Sequence, residues 1–285
     1  MFNIQFYQPR SLPEALQLLN DEPNPKVLAG GTDLIIDIRK DRRKVDTLID
    51  LSKLTELKEI IIKDDEIEIG SMVTFRDLCE HPLIKQEFSG LYLCAKHFAA
   101  PQIRNMATIG GNVINASAAA DSVPMIMSLE GKFIFNSVEG ERGICAVKYF
   151  HDYETEKIKP NEVLAKIILP RKGYKSGFYK LGKRNSLAIA RINTAVCLKE
   201  NGDIVEKINI TLGAVGRYPF RVRDIEKMCE GKPLSYLISD VILTGLENAV
   251  YESIKNRPTM PFKKEAVKGV YKLALRSALG GEIDG

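Results

Sequence analysis

Cysteine and histidine are sparse in this chain of 285 residues, five and three in number, and what they cannot build narrows the field. Cys79, Cys94, Cys145, Cys197 and Cys229 are odd in number and widely spaced. That pattern excludes a disulfide framework, a zinc site, and an iron–sulfur cluster held by this chain alone. The five read as reduced, partly buried thiols. His81, His97 and His151 have no partner recognisable from sequence, so no catalytic role falls to them. No stretch approaches the ~20 apolar residues of a membrane span. Met1-Phe2-Asn3-Ile4-Gln5 offers neither a basic nor an apolar targeting region, which leads to the expectation of a cytoplasmic protein without a membrane partner. The formal charge of +4 comes from interspersed acids and bases. Its densest basic run, Arg39 to Lys44, is broken by Asp41, reads as a solvated loop, and is too short for nucleic acid. Neither G-x-G-x-x-G nor G-x-x-x-x-G-K-[ST] occurs, so a dinucleotide would not be bound by those routes.

What is present is an ordinary globular composition, 45% hydrophobic and 27% charged, long enough for two or three domains. Two matched glycine pairs stand out. Lys26-Val27-Leu28-Ala29-Gly30-Gly31-Thr32-Asp33 is an apolar strand running into paired glycines, which accept positive φ and carry no Cβ. Consecutive N–H groups can then converge on an anion, with the Thr32 hydroxyl as a further donor. Thr108-Ile109-Gly110-Gly111-Asn112 repeats the pattern and would form the second wall of a phosphate cradle. A single Gly-Gly marks an ordinary turn; two matched pairs are a stronger signal. Asn115 to Ser122 is a run of small side chains closed by Asp121. It suits close approach to a flat ligand, with Asp121 accepting from sugar hydroxyls, or equally a helix start capped by Asp121 or Ser122.

In chain order, a short extended start at Ile4 to Tyr7 precedes Ser11-Leu12-Pro13-Glu14, a capping box opening a helix to about Leu19. Lys26 to Leu28 is a strand, Leu34 to Ile38 an apolar segment behind the glycines, and Leu48 to Leu51 a buried strand. Glu59 to Ile62 and Glu66 to Ile69 flank Asp64-Asp65 as a hairpin. A short helix starts at Thr74, and a second covers Leu91 to Ala100, where Pro101 should end it. Lys132 to Asn136 and Gly143 to Val147 form a β pair, and Val163 to Leu169 a strand stopped by Pro170. Arg171 to Gly177 reads as a polar linker at the main domain boundary. Phe178 to Leu181, Leu187 to Leu198 and Ile204 to Ala214 are three strands, the last two turning at Asn201-Gly202. Helical stripes follow, at Leu237, Ile238, Val241, Ile242, Leu246 and Val250, then at Val267, Val270, Tyr271 and Ala274.

Ala29-Gly30-Gly31-Thr32-Asp33, Gln102-Ile103-Arg104-Asn105, Thr108 to Asn112 and Asp121-Ser122 together resemble the FAD-binding medium subunit of the xanthine dehydrogenase family of molybdenum hydroxylases. The four motifs agree in order, and the likeness covers essentially the whole chain. It implies an α+β protein with the FAD-binding fold of the p-cresol methylhydroxylase/vanillyl-alcohol oxidase type, two α+β subdomains over 1–55 and 56–173. A C-terminal domain like that of CO dehydrogenase flavoproteins, with a three-stranded sheet and helices, would occupy 174–285.

The resemblance also implies site residues. Lys26, Val27, Leu28, Ala29, Gly30, Gly31, Thr32 and Asp33 would form the first FAD loop, and Thr108, Ile109, Gly110, Gly111 and Asn112 the second. Asp121 would meet a sugar hydroxyl, Leu164 the adenine or ribityl region, Phe98 the isoalloxazine, and Lys180 the flavin N1 and O2. Ala118 stands where relatives often carry Pro. No residue is implied as catalytic and no metal is held. The chain would be an oxidoreductase subunit in a complex with a molybdopterin-binding large subunit and a small subunit carrying [2Fe-2S] clusters, delivering electrons to NAD or another acceptor. The substrate would be xanthine, another purine or nicotinate; a CO dehydrogenase or aryl-CoA reductase complex, or a flavin-binding scaffold without turnover, are the alternatives.

Overall fold

A computed structural model describes residues 4–184 and 188–281. Strands β1 (Gln5–Tyr7), β2 (Pro25–Leu28) and β3 (Thr47–Asp50) form a parallel sheet in the order β1-β3-β2. Every residue of the middle strand is buried, the usual state of a parallel strand covered on both faces. Helices α1 (Leu12–Asp21) and α2 (Leu34–Arg39) supply the cover, α1 through Ala15, Leu16 and Leu19. Ser11 caps α1 by accepting from the Glu14 N–H. The Glu14 carboxylate takes the Arg10 N–H instead of that of Ser11, so the expected reciprocal box closes one residue early.

The second sheet is antiparallel, in the order β4-β5-β8-β6-β7, from β4 (Ile60–Ile62), β5 (Glu66–Gly70), β6 (Lys132–Ser137), β7 (Gly140–Cys145) and β8 (Val163–Pro170). Around it lie α3 (Phe75–Glu80), α4 (Pro82–Glu87), α5 (Ser89–His97), α6 (Pro101–Arg104), α7 (Ile109–Asn115), α8 (Ser122–Ser128), α9 (Ala146–His151) and α10 (Tyr153–Glu156). Two boundaries differ from the sequence reading. Pro101 does not end a helix but opens α6 at its first position, where the missing N–H costs nothing. Val147 does not extend the β pair: Ala146 still donates its N–H to Gly131 O, the next position in register after Lys132 and Cys145, but the backbone turns there into α9.

The third sheet, β12-β11-β10-β9, comprises β9 (Lys175–Leu181), β10 (Ile192–Asn201), β11 (Ile204–Gly213) and β12 (Phe220–Arg221). It has four strands where three were expected, because the two-residue β12 is too short to show a period. The hairpin at Asn201-Gly202 forms, with Gly202 at φ +61°. Leu187 lies outside the described residues. The last three residues of the supposed linker, Lys175 to Gly177, belong to β9: Ser176 and Gly177 are buried, and a Cβ on Gly177 would sit 2.1 Å from Ala274 O. Polarity and glycine there serve close helix packing, not chain flexibility.

Helices α11 (Arg223–Cys229), α12 (Asp240–Ile254) and α13 (Met260–Ala278) complete the chain, α13 lying across β9 and β10. The α13 stripe is buried as expected. The earlier stripe is rotated: Ile238 and Val241 are exposed, while Ile242, Leu243, Leu246, Val250 and Ile254 face inward.

The other face of the third sheet is covered by α5 and α8. Alternation along β10 therefore feeds two cores, Ala195 and Cys197 one, Ile192, Val196 and Leu198 the other. Polar ties reinforce the seam. Glu130, beyond α8, accepts from Lys172 and Lys207 at 2.6 Å each and from Tyr174 Oη at 3.1 Å. Partial burial opposes its ionisation, but the two ammonium groups outweigh it and bring the carboxyl from 4.5 to about 2. Glu130→Gln is expected to lose on the order of 2 kcal/mol at neutral pH, after allowing for solvent screening. Because the folded pKa is depressed, this contribution is complete above about 4.5 and is lost as pH falls towards about 2. Urea unfolding of both proteins at neutral pH and near pH 3 should show the gap narrowing in acid; a constant gap would assign the loss to packing.

Candidate functional site

A cavity of about 400 Å³ opens between the end of β2, the start of α7 and the segment 158–164. Of the residues predicted from sequence, Leu28, Ile109, Asp121 and Lys180 lie off its wall; the others line it. The glycines act mainly by letting backbones touch. A Cβ on Gly30 would lie 1.8 Å from Met106 O, and one on Gly110 2.5 Å from Ser71 Cβ. Gly111 brings the first turn of α7 against Ala29, 3.9 Å from where its Cβ would stand. Of the first pair only Gly31 has positive φ, +68°, and the second pair lies inside a helix capped by Thr108.

The donors are unequally distributed. At α7 the N–H groups of Ile109, Gly110, Gly111 and Asn112 are bonded to Val73 O, Ser71 O, Thr108 Oγ1 and Thr108 O. The second loop therefore gives shape rather than an anion cradle, a correction to the symmetric picture drawn from sequence. Among the described residues, the N–H groups of Gly30, Gly31, Thr32 and Asp33 donate to no protein acceptor. A left-handed residue among them turns successive N–H groups towards one point.

Charge points the same way. Lys26, Arg43 and Lys159 line the cavity, and among the described residues none has a side-chain ion pair or hydrogen bond. The acids nearby are engaged: Asp33 accepts from Asn115 at 3.0 Å, and Asp37 lies 3.8 Å from Arg42. Glu162 accepts two bonds from Arg142 at 2.8 Å and the Lys159 N–H at 2.9 Å. Burial pushes the Glu162 carboxyl up, but Arg142 and the Lys159 amide prevail and hold it below the usual glutamate range. Three cations thus stand free on a wall whose acids are bonded elsewhere, with apolar surface from Val27, Ile158, Pro160 and Leu164. Sequence reasoning missed Arg43, read as part of a solvated loop, and Lys159. Neither carries a local signal; both reach the cavity through the fold alone.

Phe98 lines the far end, its ring stacked on buried Phe75 at 3.8 Å and 5°. Off the wall, Asp121 is buried, and Lys180 Nζ and Asn193 Nδ2 donate to it at 2.6 and 3.0 Å. Burial drives the Asp121 carboxyl above the usual aspartate range, against the pull of Lys180.

Comparison with known proteins meets this geometry. The family described as the FAD binding domain in molybdopterin dehydrogenase matches residues 2–172, and the CO dehydrogenase flavoprotein C-terminal domain matches 177–278. The chain is 35% identical to the nicotinate dehydrogenase FAD-subunit of Eubacterium barkeri over 95% of each. It is 27% identical to the xanthine dehydrogenase FAD-binding subunit of Escherichia coli O157:H7 over 98% of each. A chain of carbon monoxide dehydrogenase from Hydrogenophaga pseudoflava superposes with TM-score 0.88 at 25% identity, over 98% of both.

The residues present fit a pyrophosphate-bearing flavin: free N–H donors, unpaired cations and apolar walls converge on one cleft. Gly30→Ala is expected to destabilise the protein by about 1–3 kcal/mol, because the Met106 carbonyl and the loop must part. Urea denaturation checks this; unchanged stability would mean that the contact at Met106 contributes nothing.

Proposed function

The chain belongs to the FAD-binding medium subunits of the xanthine dehydrogenase (molybdenum hydroxylase) family of oxidoreductases, and on that premise we propose that it carries electrons from [2Fe-2S] clusters on a small partner subunit to NAD or another acceptor. The complex would be cytoplasmic, with a molybdopterin-binding large subunit that hydroxylates a nicotinate-type or purine heterocycle. Identity of 35% to a nicotinate dehydrogenase subunit supports the first substrate class, and likeness to xanthine dehydrogenase subunits the second.

The observation that carries this reading is the row of four N–H groups at Gly30 to Asp33 with no acceptor among the described residues, in a segment that lines a cavity together with three unpaired cations. Bound FAD supplies hydride and single-electron chemistry that no side chain here possesses. Gly30, Gly31, Thr32 and Asp33 would hold its pyrophosphate, with Lys26, Arg43 and Lys159 balancing the charge. Ala29, Thr108, Gly111 and Asn112 would shape the cleft around it. Val27 and Leu164 would pack on the adenine or ribityl carbons, and Phe98 would back the ring. Leu28 and Ile109 support these segments from behind. Asp121 and Lys180 would meet a sugar hydroxyl and the N1–O2 edge on exchanging part of their mutual bonding for the ligand. The Lys180 ammonium would there favour the reduced, anionic ring.

The absorption spectrum of the purified chain, followed by acid release and chromatography, should identify FAD; a colourless chain that takes up none would overturn the proposal. Rapid reoxidation of the reduced flavin by NAD is expected. A flavin inert to every acceptor would favour a scaffold role instead. Gly31→Val, a β-branched residue at φ +68° in contact with Leu28 and Ile35, should lose FAD retention. Full flavination of that variant would remove the loop from the site.

A further inference from the structure

We infer that Arg104 is a positioning residue that sets the Phe98 ring against the flavin by gripping the backbone behind it. This rests on the FAD reading above. Helix α5 ends at His97, and α6 begins only four residues on, so the chain must reverse within Phe98, Ala99 and Ala100. Ala99 accomplishes this at φ +36°, a left-handed conformation that a residue with a Cβ disfavours. Glycine would adopt it without strain. Alanine there requires something that over-determines the turn, and such strain in a folded protein collects at functional sites.

Arg104 is that restraint. Its Nη1 donates to Phe98 O and to Ala99 O, both at 2.9 Å, so one guanidinium nitrogen draws the two successive carbonyls together. The arginine is itself anchored. Its N–H is bonded to Ala100 O, the Ala107 N–H to Ile103 O, and the Phe75 N–H to Ala107 O. The same chain of bonds thus ends at Phe75, whose ring lies flat on Phe98. Phe98 is fixed by its backbone through Arg104 and by its face through Phe75, and the residue lines the cavity. The Phe98 carbonyl is tied on the protein side, which leaves the ring no freedom to follow a turn that relaxes. Arg104 lines no part of the cavity, so its action on the flavin is through Phe98.

The test is a double-mutant cycle on the full-length, FAD-loaded chain: Phe98→Leu, Arg104→Gln and the pair, with Arg104→Lys as the conservative variant. The readouts are FAD stoichiometry, the visible circular dichroism of bound flavin, and the rate at which dithionite-reduced flavin is reoxidised by NAD or dioxygen. Both single variants should bind one FAD, because the Gly30–Asp33 loop is untouched. Each should change the dichroism in the same sense and the rate by on the order of tenfold, with the pair no worse than either single, as for contacting residues that act as a unit. Arg104→Lys, which keeps one donor group near the carbonyls, should recover part of both signals even if Arg104→Gln does not fold. Additive effects, or a parent-like flavin in Arg104→Gln, would overturn the role of Arg104 while leaving the flavoprotein reading intact. A flavin indifferent to Phe98→Leu would overturn the inference at its other end. Absence of FAD from the parent chain would overturn the proposed function, and this inference with it.

Discussion

Backbone-to-backbone contact without intervening side chains is the constraint on which the cavity depends. The loop after β2 lies against Met106, and the first turn of α7 lies against Ser71, at separations that no Cβ would permit. The first contact brings the parallel α/β layer against the layer of the antiparallel sheet, and the second seats α7 on the end of β5 within that layer. The Gly30–Asp33 N–H groups stay free of protein acceptors among the described residues, because the segment is held by the Met106 contact and through its own acceptors: Gly31 O takes the Ile35 N–H, Asp33 O that of Asp37, and the Asp33 carboxylate the Asn115 amide. A loop held through its N–H groups would be equally ordered and useless as an anion site. Here order and free donors coexist, since glycine makes a backbone contact that uses none of the loop's N–H groups.

The electrostatics follow from that arrangement. Among the described residues the cations at the cleft are unpaired, Arg43 and Lys159 exposed to solvent and Lys26 half-buried, and the acids within reach are engaged in bonds of their own. Glu162 is the clearest case: it faces the cavity, yet its carboxylate is saturated by Arg142 and the Lys159 amide. That bonding also ties the turn before β8 to β7. One ion pair therefore shapes the wall and hides a negative charge from a site that must accept phosphate.

Much of this was legible in the sequence, for identifiable reasons. The glycine pairs, the Asn201-Gly202 turn and the alternating strands report local requirements, and local requirements leave a local trace. The α13 stripe was readable because a 19-residue helix repeats its period several times. What escaped was set by distant partners. Ser176 and Gly177 look like a linker until α13 lies across them. Ile238 and Val241 look like a core face until the short helical turn at 234–238 breaks the phase. Arg43 and Lys159 lie far apart in sequence from each other and from Lys26, and only the closure of the fold gathers them. The second glycine pair misled differently: its residues are right, but their N–H groups are consumed inside the protein, and no pattern of residue types reveals which donors are already satisfied.

The same dependence on distant partners bears on how the C-terminal region serves the site. β10 is a single strand with two cores, one face packing Ala195 and Cys197 beneath α5 and α8, the other packing Val196 and Leu198 beneath α13. Asp121 sits at that seam, its two oxygens held by Lys180 of β9 and Asn193 of β10. The small-residue run after α7 is bonded there too, through the Ala214 N–H to Ala118 O. The C-terminal sheet is therefore a wall of the first core rather than an appendage reached through a linker. Any shift of that sheet must be felt at Asp121, and the segment that leads from α7 to Asp121 is the shortest covalent path from the seam back to the glycine contacts.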